Sequence, residues 1–210
     1  MIGIIDYGLG NVTSFINVFK SLGKDCELAK TESDLQGATH LILPGVGSFD
    51  YAMELFIKSG LKKKIESLVF EDNIPILGVC VGMQILGESS DEGKKAGLGW
   101  ISGNVKKIQI QQEHQTKLSK FFLPLPHMGW NSITDVSECE NSIFKNVDLN
   151  KGFYFLHSYF FETTNSCIAM SSYPEKFCCA IQSKNIFGVQ FHPEKSLLNG
   201  TMLLKNFSNI

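Results

Sequence analysis

The 210-residue chain carries 43% apolar and 19% charged residues with a formal net charge of −2. That length suits one domain able to bury about 70% of the surface its unfolded form exposes, and so even a charge balance excludes the basic excess that marks nucleic-acid binders. No window reaches the roughly 18 apolar residues of a membrane span, and Met1-Ile2-Gly3-Ile4-Ile5-Asp6 lacks the features of a secretion signal, which points to a cytoplasmic protein.

An apolar run over 2–7 closes at Gly8-Leu9-Gly10, and apolar residues then recur at Val12, Phe15, Ile16, Phe19 and Leu22. This predicts strand, turn and amphipathic helix over 12–22. Glycines after a strand also suggest a dinucleotide-binding turn, but Thr13 stands where its third glycine belongs, so that cofactor is rejected. A second strand is expected at 26–29 and a third at 40–43, running into the glycine-rich Pro44-Gly45-Val46-Gly47. Helical patterns over 50–57 and 61–70 lead to a strand over 74–79, apolar enough to be buried on both faces. Strands alternating with helices imply βαβ units and a parallel sheet.

Beyond Trp100 the pieces shorten, with strands expected at 105–110, 131–133, 153–161, 178–182 and 186–191, a more antiparallel half. The glutamine-rich 109–120 segment, followed by Pro124-Leu125-Pro126, reads as a loop. No repeat or linker divides the chain, so 1–210 is expected to be one domain. Six cysteines, Cys26, Cys80, Cys139, Cys167, Cys178 and Cys179, show no paired C-x-x-C of a zinc site. All but Cys80 read as small buried hydrophobes.

Cys80 lies in Gly78-Val79-Cys80-Val81-Gly82, where a buried strand gives way to a helical pattern over 81–86. The glycines remove Cβ atoms that would collide in a tight turn, which holds its central residue exposed and strained. A cysteine there faces backbone N–H groups at a helix start, which favour the thiolate. The competing reading is a buried cysteine between two packing glycines.

A thiolate attacking an amide needs a histidine to manage protons and a third group to orient that imidazole. Gln190-Phe191-His192-Pro193-Glu194 supplies both. Proline biases His192 toward extended geometry, in which residues two apart point the same way, so His192 and Glu194 should project together. None of His40, His114, His127 and His157 has a carboxylate placed by a proline. For the oxyanion of a tetrahedral intermediate, the expected donors are the N–H of Val81 and an N–H from the Gly45–Val46 segment.

Together these strings resemble the class I glutamine amidotransferases: Gly78-Val79-Cys80-Val81-Gly82-Met83-Gln84, and Phe191-His192-Pro193-Glu194-Lys195-Ser196. Within that family the chain is similar to glutaminase subunits of imidazole glycerol phosphate synthases. That likeness rests on Tyr7-Gly8-x-Gly10-Asn11, Pro44-Gly45-Val46-Gly47-Ser48-Phe49, Leu125-Pro126-His127-Met128-Gly129-Trp130-Asn131 and Tyr154-Phe155-x-His157-Ser158-Tyr159. The resemblance implies a three-layer α/β fold, a mostly parallel sheet with helices on both faces and an antiparallel extension. It implies a catalytic triad of Cys80, His192 and Glu194, and L-glutamine bound by Gly47, Gln84, Glu92, Ser158 and Tyr159. It also implies a heterodimer with a synthase (cyclase) subunit facing Asn11, Trp130, Tyr154 and Lys195, without metal or organic cofactor. The same glutaminase chemistry serving a surface-sugar amidotransferase is the alternative. Two departures stand out: residues 109–123 run longer than the family's usual connection, and Gly87 takes a place where a larger apolar residue is expected.

Overall fold

The computed structural model describes residues 1–109, 124–137 and 143–210. Strands β1 (Ile2–Ile5), β2 (Cys26–Ala29), β3 (His40–Gly45) and β4 (Ile76–Cys80) lie parallel in the order β2-β1-β3-β4. Every residue of β1 and β4 is buried, as is all of β3 after His40. Covering both faces removes any solvent side, hence the unbroken apolar runs. Helix α1 (Val12–Ser21) buries Phe15 and Phe19, and α2 (Phe49–Lys58) buries Phe49, Ala52, Met53 and Phe56, each a stripe at helical spacing. The helix predicted over 61–70 is α3 (Lys62–Glu66) continued by a π turn, Ser67–Glu71. No helix among the described residues is long and apolar enough to cross a membrane.

After α4 (Val81–Gln84) the chain supplies β5 (Ser89–Ser90), β6 (Asn104–Lys107), β7 (His127–Asn131), β8 (Phe153–His157) and β9 (Tyr159–Phe161). It continues with β10 (Cys167–Ser172), β11 (Lys176–Ser183), β12 (Ile186–Val189) and α5 (Leu197–Phe207). β12 extends the parallel sheet beside β4, with Gly188 opposite Gly78. From β12 the sheet continues through β11, β9 and β6 in antiparallel pairs, and β10 adds to the far side of β11. β7 and β8 form a separate two-stranded ribbon. The architecture is therefore a mixed, mostly parallel sheet with helices and an antiparallel extension.

Several expectations need correction. The strand placed at 131–133 lies at His127–Asn131, because its ladder with β8 ends where Asn131 meets Phe153. The run over 153–161 is two strands: at Ser158 the chain leaves the ribbon and joins the main sheet as β9. The strand over 186–191 stops at Val189, whereas that over 178–182 extends to Lys176–Ser183 and pairs with β10, which had no expected strand. Helix α5 was not expected either. It packs on the Pro193–Lys195 turn at Gly200, where any Cβ would collide with Pro193. Cys167 and Cys178 are not isolated hydrophobes but are joined as a disulfide across β10 and β11, and Cys26 is only half-buried. Cys139, Ile110 and most of the 109–120 loop lie outside the described residues. A larger residue at Gly87 would press its Cβ to 2.8 Å from the Phe161 ring and 2.9 Å from the Gly103 carbonyl oxygen, so glycine suits that place.

Candidate active site

β4 ends at Cys80 with φ 55 and ψ −113, and α4 begins at the next residue. Holding a non-glycine residue there costs on the order of 1–3 kcal/mol and persists only where the surroundings enforce it. The enforcement is parallel pairing on both sides, with β3 at Gly45 opposite Cys80 and with β12. Gly82 brings α4 against β3 so closely that a Cβ on it would overlap the Leu43 carbonyl oxygen and lie 3.0 Å from its carbon. Gly45 meets α4 from the other side in the same way, against Gly82 and Val81.

The elbow holds Cys80 strained but not exposed as expected: packed between β3, β12 and α4, it is only 4% exposed and reaches open space through a cavity. His192, just beyond the end of β12, is close enough to Cys80 for the sulfur to raise its pKa, and it is hydrogen-bonded to Glu194, whose Oε1 lies 2.9 Å from Nδ1. Nδ1 being engaged, Nε2 is the ring nitrogen left for the sulfur. The carboxylate does not reach the imidazole along an extended chain as expected. Glu194 lies in a 3-10 turn, Pro193–Lys195, that folds it back under the ring. Both side chains are almost wholly enclosed, 3% and 2% exposed. Burial alone would depress the imidazole, but the nearby Cys80 sulfur, the hydrogen bond to Glu194 and the negative charge of both outweigh it and raise the His192 pKa to about 10. Such an imidazolium can hand a proton to a departing amine.

Cys80 and His192 open into a cavity of about 270 Å³. Of the residues expected to meet substrate or oxyanion, Val46, Gly47, Val81, Gln84, Glu92, Ser158 and Tyr159 all line it, with Lys195 at its edge. Gly45 lies behind the elbow and Glu194 behind the imidazole. Glu92 also has a structural partner: its Oε2 accepts from the backbone N–H of Phe49 at the start of α2, 2.8 Å away. Pro126, Leu156 and His157 complete the lining. Their signal was present in the strings around 125–131 and 154–159, but nothing in those strings says which side chains turn inward.

Of the four residues expected to face a partner, three are in mutual contact. Lys195 Nζ lies 5.8 Å from the Tyr154 ring centre, and Trp130, 51% exposed, meets Tyr154 edge-on at 6.4 Å. These three form one outward cluster beside the cavity mouth. Asn11 is exposed at the start of α1, where its side chain accepts from the Ser14 N–H. Met128, Leu197 and Leu198 are exposed apolar residues that sequence reasoning passed over.

Behind the cavity, His157 Nδ1 lies 2.9 Å from the Tyr159 carbonyl oxygen, and its Nε2 lies 3.0 Å from His127 Nδ1. A carbonyl only accepts, so His157 Nδ1 carries the proton and His127 Nδ1 donates to His157 Nε2. Burial lowers the pKa of His127 to about 4 and that of His157 to about 3, so both rings are neutral at pH 7. Neither resembles a general base with a carboxylate behind it. Among the described residues no group of three or more His, Cys, Asp or Glu side chains is placed to hold a metal ion.

A strained cysteine between a parallel strand and a helix, backed by an enclosed His–Glu pair, defines a thiol amidohydrolase of α/β type. The chain belongs to the class I glutamine amidotransferases, whose family model matches residues 3–209. Its relatives include the imidazole glycerol phosphate synthase subunit HisH of Leptospira interrogans, 48% identical over the whole of both chains. The subunit of the same name from Bdellovibrio bacteriovorus is 47% identical, again over the whole of both. A solved glutamine amidotransferase shares the fold at 16% identity, with a TM-score of 0.69 over 99% of this chain and 97% of that one.

Proposed function

We infer that this chain is the glutaminase subunit of an imidazole glycerol phosphate synthase, hydrolysing L-glutamine to glutamate and ammonia and delivering the ammonia to a cyclase subunit in histidine biosynthesis. The observation that carries this reading is the enclosed Cys80, His192 and Glu194 cluster opening on a cavity sized for one amino acid, in a chain alike from end to end with HisH subunits.

In this reading Cys80 Sγ attacks the γ-carboxamide carbon, and the carbonyl electrons move to oxygen. The N–H groups of Val81 and of the Gly45–Val46 segment receive that charge. His192 protonates the departing nitrogen, ammonia leaves, and a γ-glutamyl thioester remains on Cys80. Water deprotonated by His192 then attacks the thioester, releasing glutamate and the thiolate. Glu194 holds the imidazole in place throughout. Gly47, Gln84, Glu92, Ser158 and Tyr159 bind the amino acid, and Asn11, Trp130, Tyr154 and Lys195 meet the cyclase in a heterodimer. The whole chain acts as a single cytoplasmic domain.

The test is Cys80→Ala in the reconstituted complex. Glutamine-dependent turnover should vanish while turnover with added ammonium salt persists, because only the thiolate makes ammonia. Glutamine-dependent turnover surviving in the variant would refute the assignment.

A further inference from the structure

One polar side chain touching Cys80 has no part in the mechanism above. Gln190 is wholly buried, and its Nε2 lies 3.7 Å from Cys80 Sγ. A buried carboxamide offers either a donor or an acceptor to its neighbour, with opposite effects on a sulfur anion. What faces Cys80 is therefore decided by whatever holds the other end of the amide.

The hydrogen bonds decide it. Gln84 lies 3.0 Å from the Tyr159 carbonyl oxygen, a group that only accepts, so Gln84 must present Nε2 there. The second hydrogen of the same nitrogen reaches Gln190 across 3.1 Å, so Gln190 must present Oε1 to it. With Oε1 taken, Gln190 turns its N–H donor to the sulfur. The chain of constraint runs from one main-chain carbonyl, through two side-chain amides, to the nucleophile. The Tyr159 carbonyl is itself fixed by the Nδ1–H of His157 at 2.9 Å. The same constraint leaves Gln84 Oε1, an acceptor, as the atom of that side chain free for the cavity.

We propose that Gln190 is a positioning residue for the glutaminase reaction: its amide, oriented by Gln84 and the Tyr159 carbonyl, donates to Cys80 Sγ and stabilises the thiolate. The proposal deepens the glutaminase reading and rests on it. A donor to an anion favours the charged form, and an acceptor in its place disfavours it. Gln190→Met keeps the length of the side chain and removes the donor. Gln190→Glu keeps the acceptor for Gln84 Nε2 and turns a second oxygen toward the sulfur.

The experiment is the pH dependence of Cys80 alkylation by iodoacetamide in the full chain, followed by mass spectrometry of the peptide carrying Cys80. In Gln190→Met the midpoint should rise by about one pH unit, a tenfold slowing on the acid side, and in Gln190→Glu by more. Gln84→Met, which leaves Gln190 in place but frees its amide to rotate, should shift the midpoint in the same direction by less, and it answers the question if the Gln190 variants do not fold. A rate lowered equally at every pH, or a midpoint that does not move in the variants that fold, would show Gln190 to be packing only. Alkylation needs neither glutamine nor partner. An unmoved midpoint therefore counts against Gln190 alone, whereas absent glutamine turnover in the wild-type complex counts against the glutaminase reading.

Discussion

Gly82→Ala isolates the close approach of helix to strand on which the elbow depends. Gly82 has ordinary helical backbone within α4, so alanine there is favoured by propensity, by about 1 kcal/mol over glycine. The whole penalty comes from the added Cβ, which would overlap the Leu43 carbonyl oxygen and lie 3.0 Å from its carbon. These are backbone atoms of a buried, doubly paired strand and cannot rotate away, so β3 or α4 must retreat by roughly 1 Å. Overpacking of this kind costs about 1–3 kcal/mol. It also moves Gly45 and Val46 relative to Cys80, and a displacement near 1 Å lowers a rate by about a hundredfold. Gly37→Ala is the control: its φ of +75 strains alanine by roughly 1–2 kcal/mol, but nothing lies within 4 Å of the added atom. Thermal unfolding and glutamine turnover of both variants in the complex separate the two effects. Gly82→Ala should lose stability and about a hundredfold in turnover, and Gly37→Ala stability alone. Full turnover in Gly82→Ala would refute the tight helix-to-strand contact as the basis of the elbow.

His192→Asn should lower turnover nearly as far as loss of the nucleophile, and Glu194→Gln by less, because the imidazole keeps its contact with Cys80 when its orienter is only neutralised; equal, mild losses would place the base elsewhere. His127 and His157 have folded pKa values of about 4 and 3, below the usual 6.5, so the unfolded chain takes up protons that the folded one refuses. Their contribution is intact above pH 6.5 and is lost as pH falls toward 4, at up to about 1.4 kcal/mol per pH unit for each ring. Urea unfolding at pH 7.5 and 5.0 should show this, and His157→Asn should flatten the dependence; an unchanged slope would mean that the rings are solvated in the folded protein.

The parallel half was legible because burial on both faces writes itself as unbroken apolar runs, and β2 at Cys26–Ala29 falls where the sequence placed it. The second half was read less well because its strands alternate between unlike partners. Tyr159–Phe161 continues the apolar run of β8, yet Ser158 sends it to a different sheet, and nothing local marks that exchange. α5 was hidden by Gly200, which reads as a break in a helical pattern but is the residue that lets the helix rest on Pro193. The disulfide joins residues 11 apart in sequence, and only the pairing of β10 with β11 brings them together.

The residues expected to do chemistry were visible for a related reason: each lies in a short string whose geometry is local. A strand-to-helix elbow and a His-Pro-Glu turn are complete within a few residues. The support for that chemistry is not. Gln84 reaches Tyr159 across 75 residues of sequence and Gln190 across 106, and Gln190 touches Cys80 across 110. Position gave one hint, since Gln190 stands two residues before His192. The atom that fixes the direction of these amides leaves no hint at all. It is the main-chain oxygen of Tyr159, which every residue carries, so no side chain at position 159 could announce it. What a change at 159 can disturb is the path of the backbone through Ser158, where the ribbon hands the chain to the sheet. The orientation of the donor at the nucleophile therefore depends on a strand exchange, and the residues at that exchange belong to the site as much as those that line it.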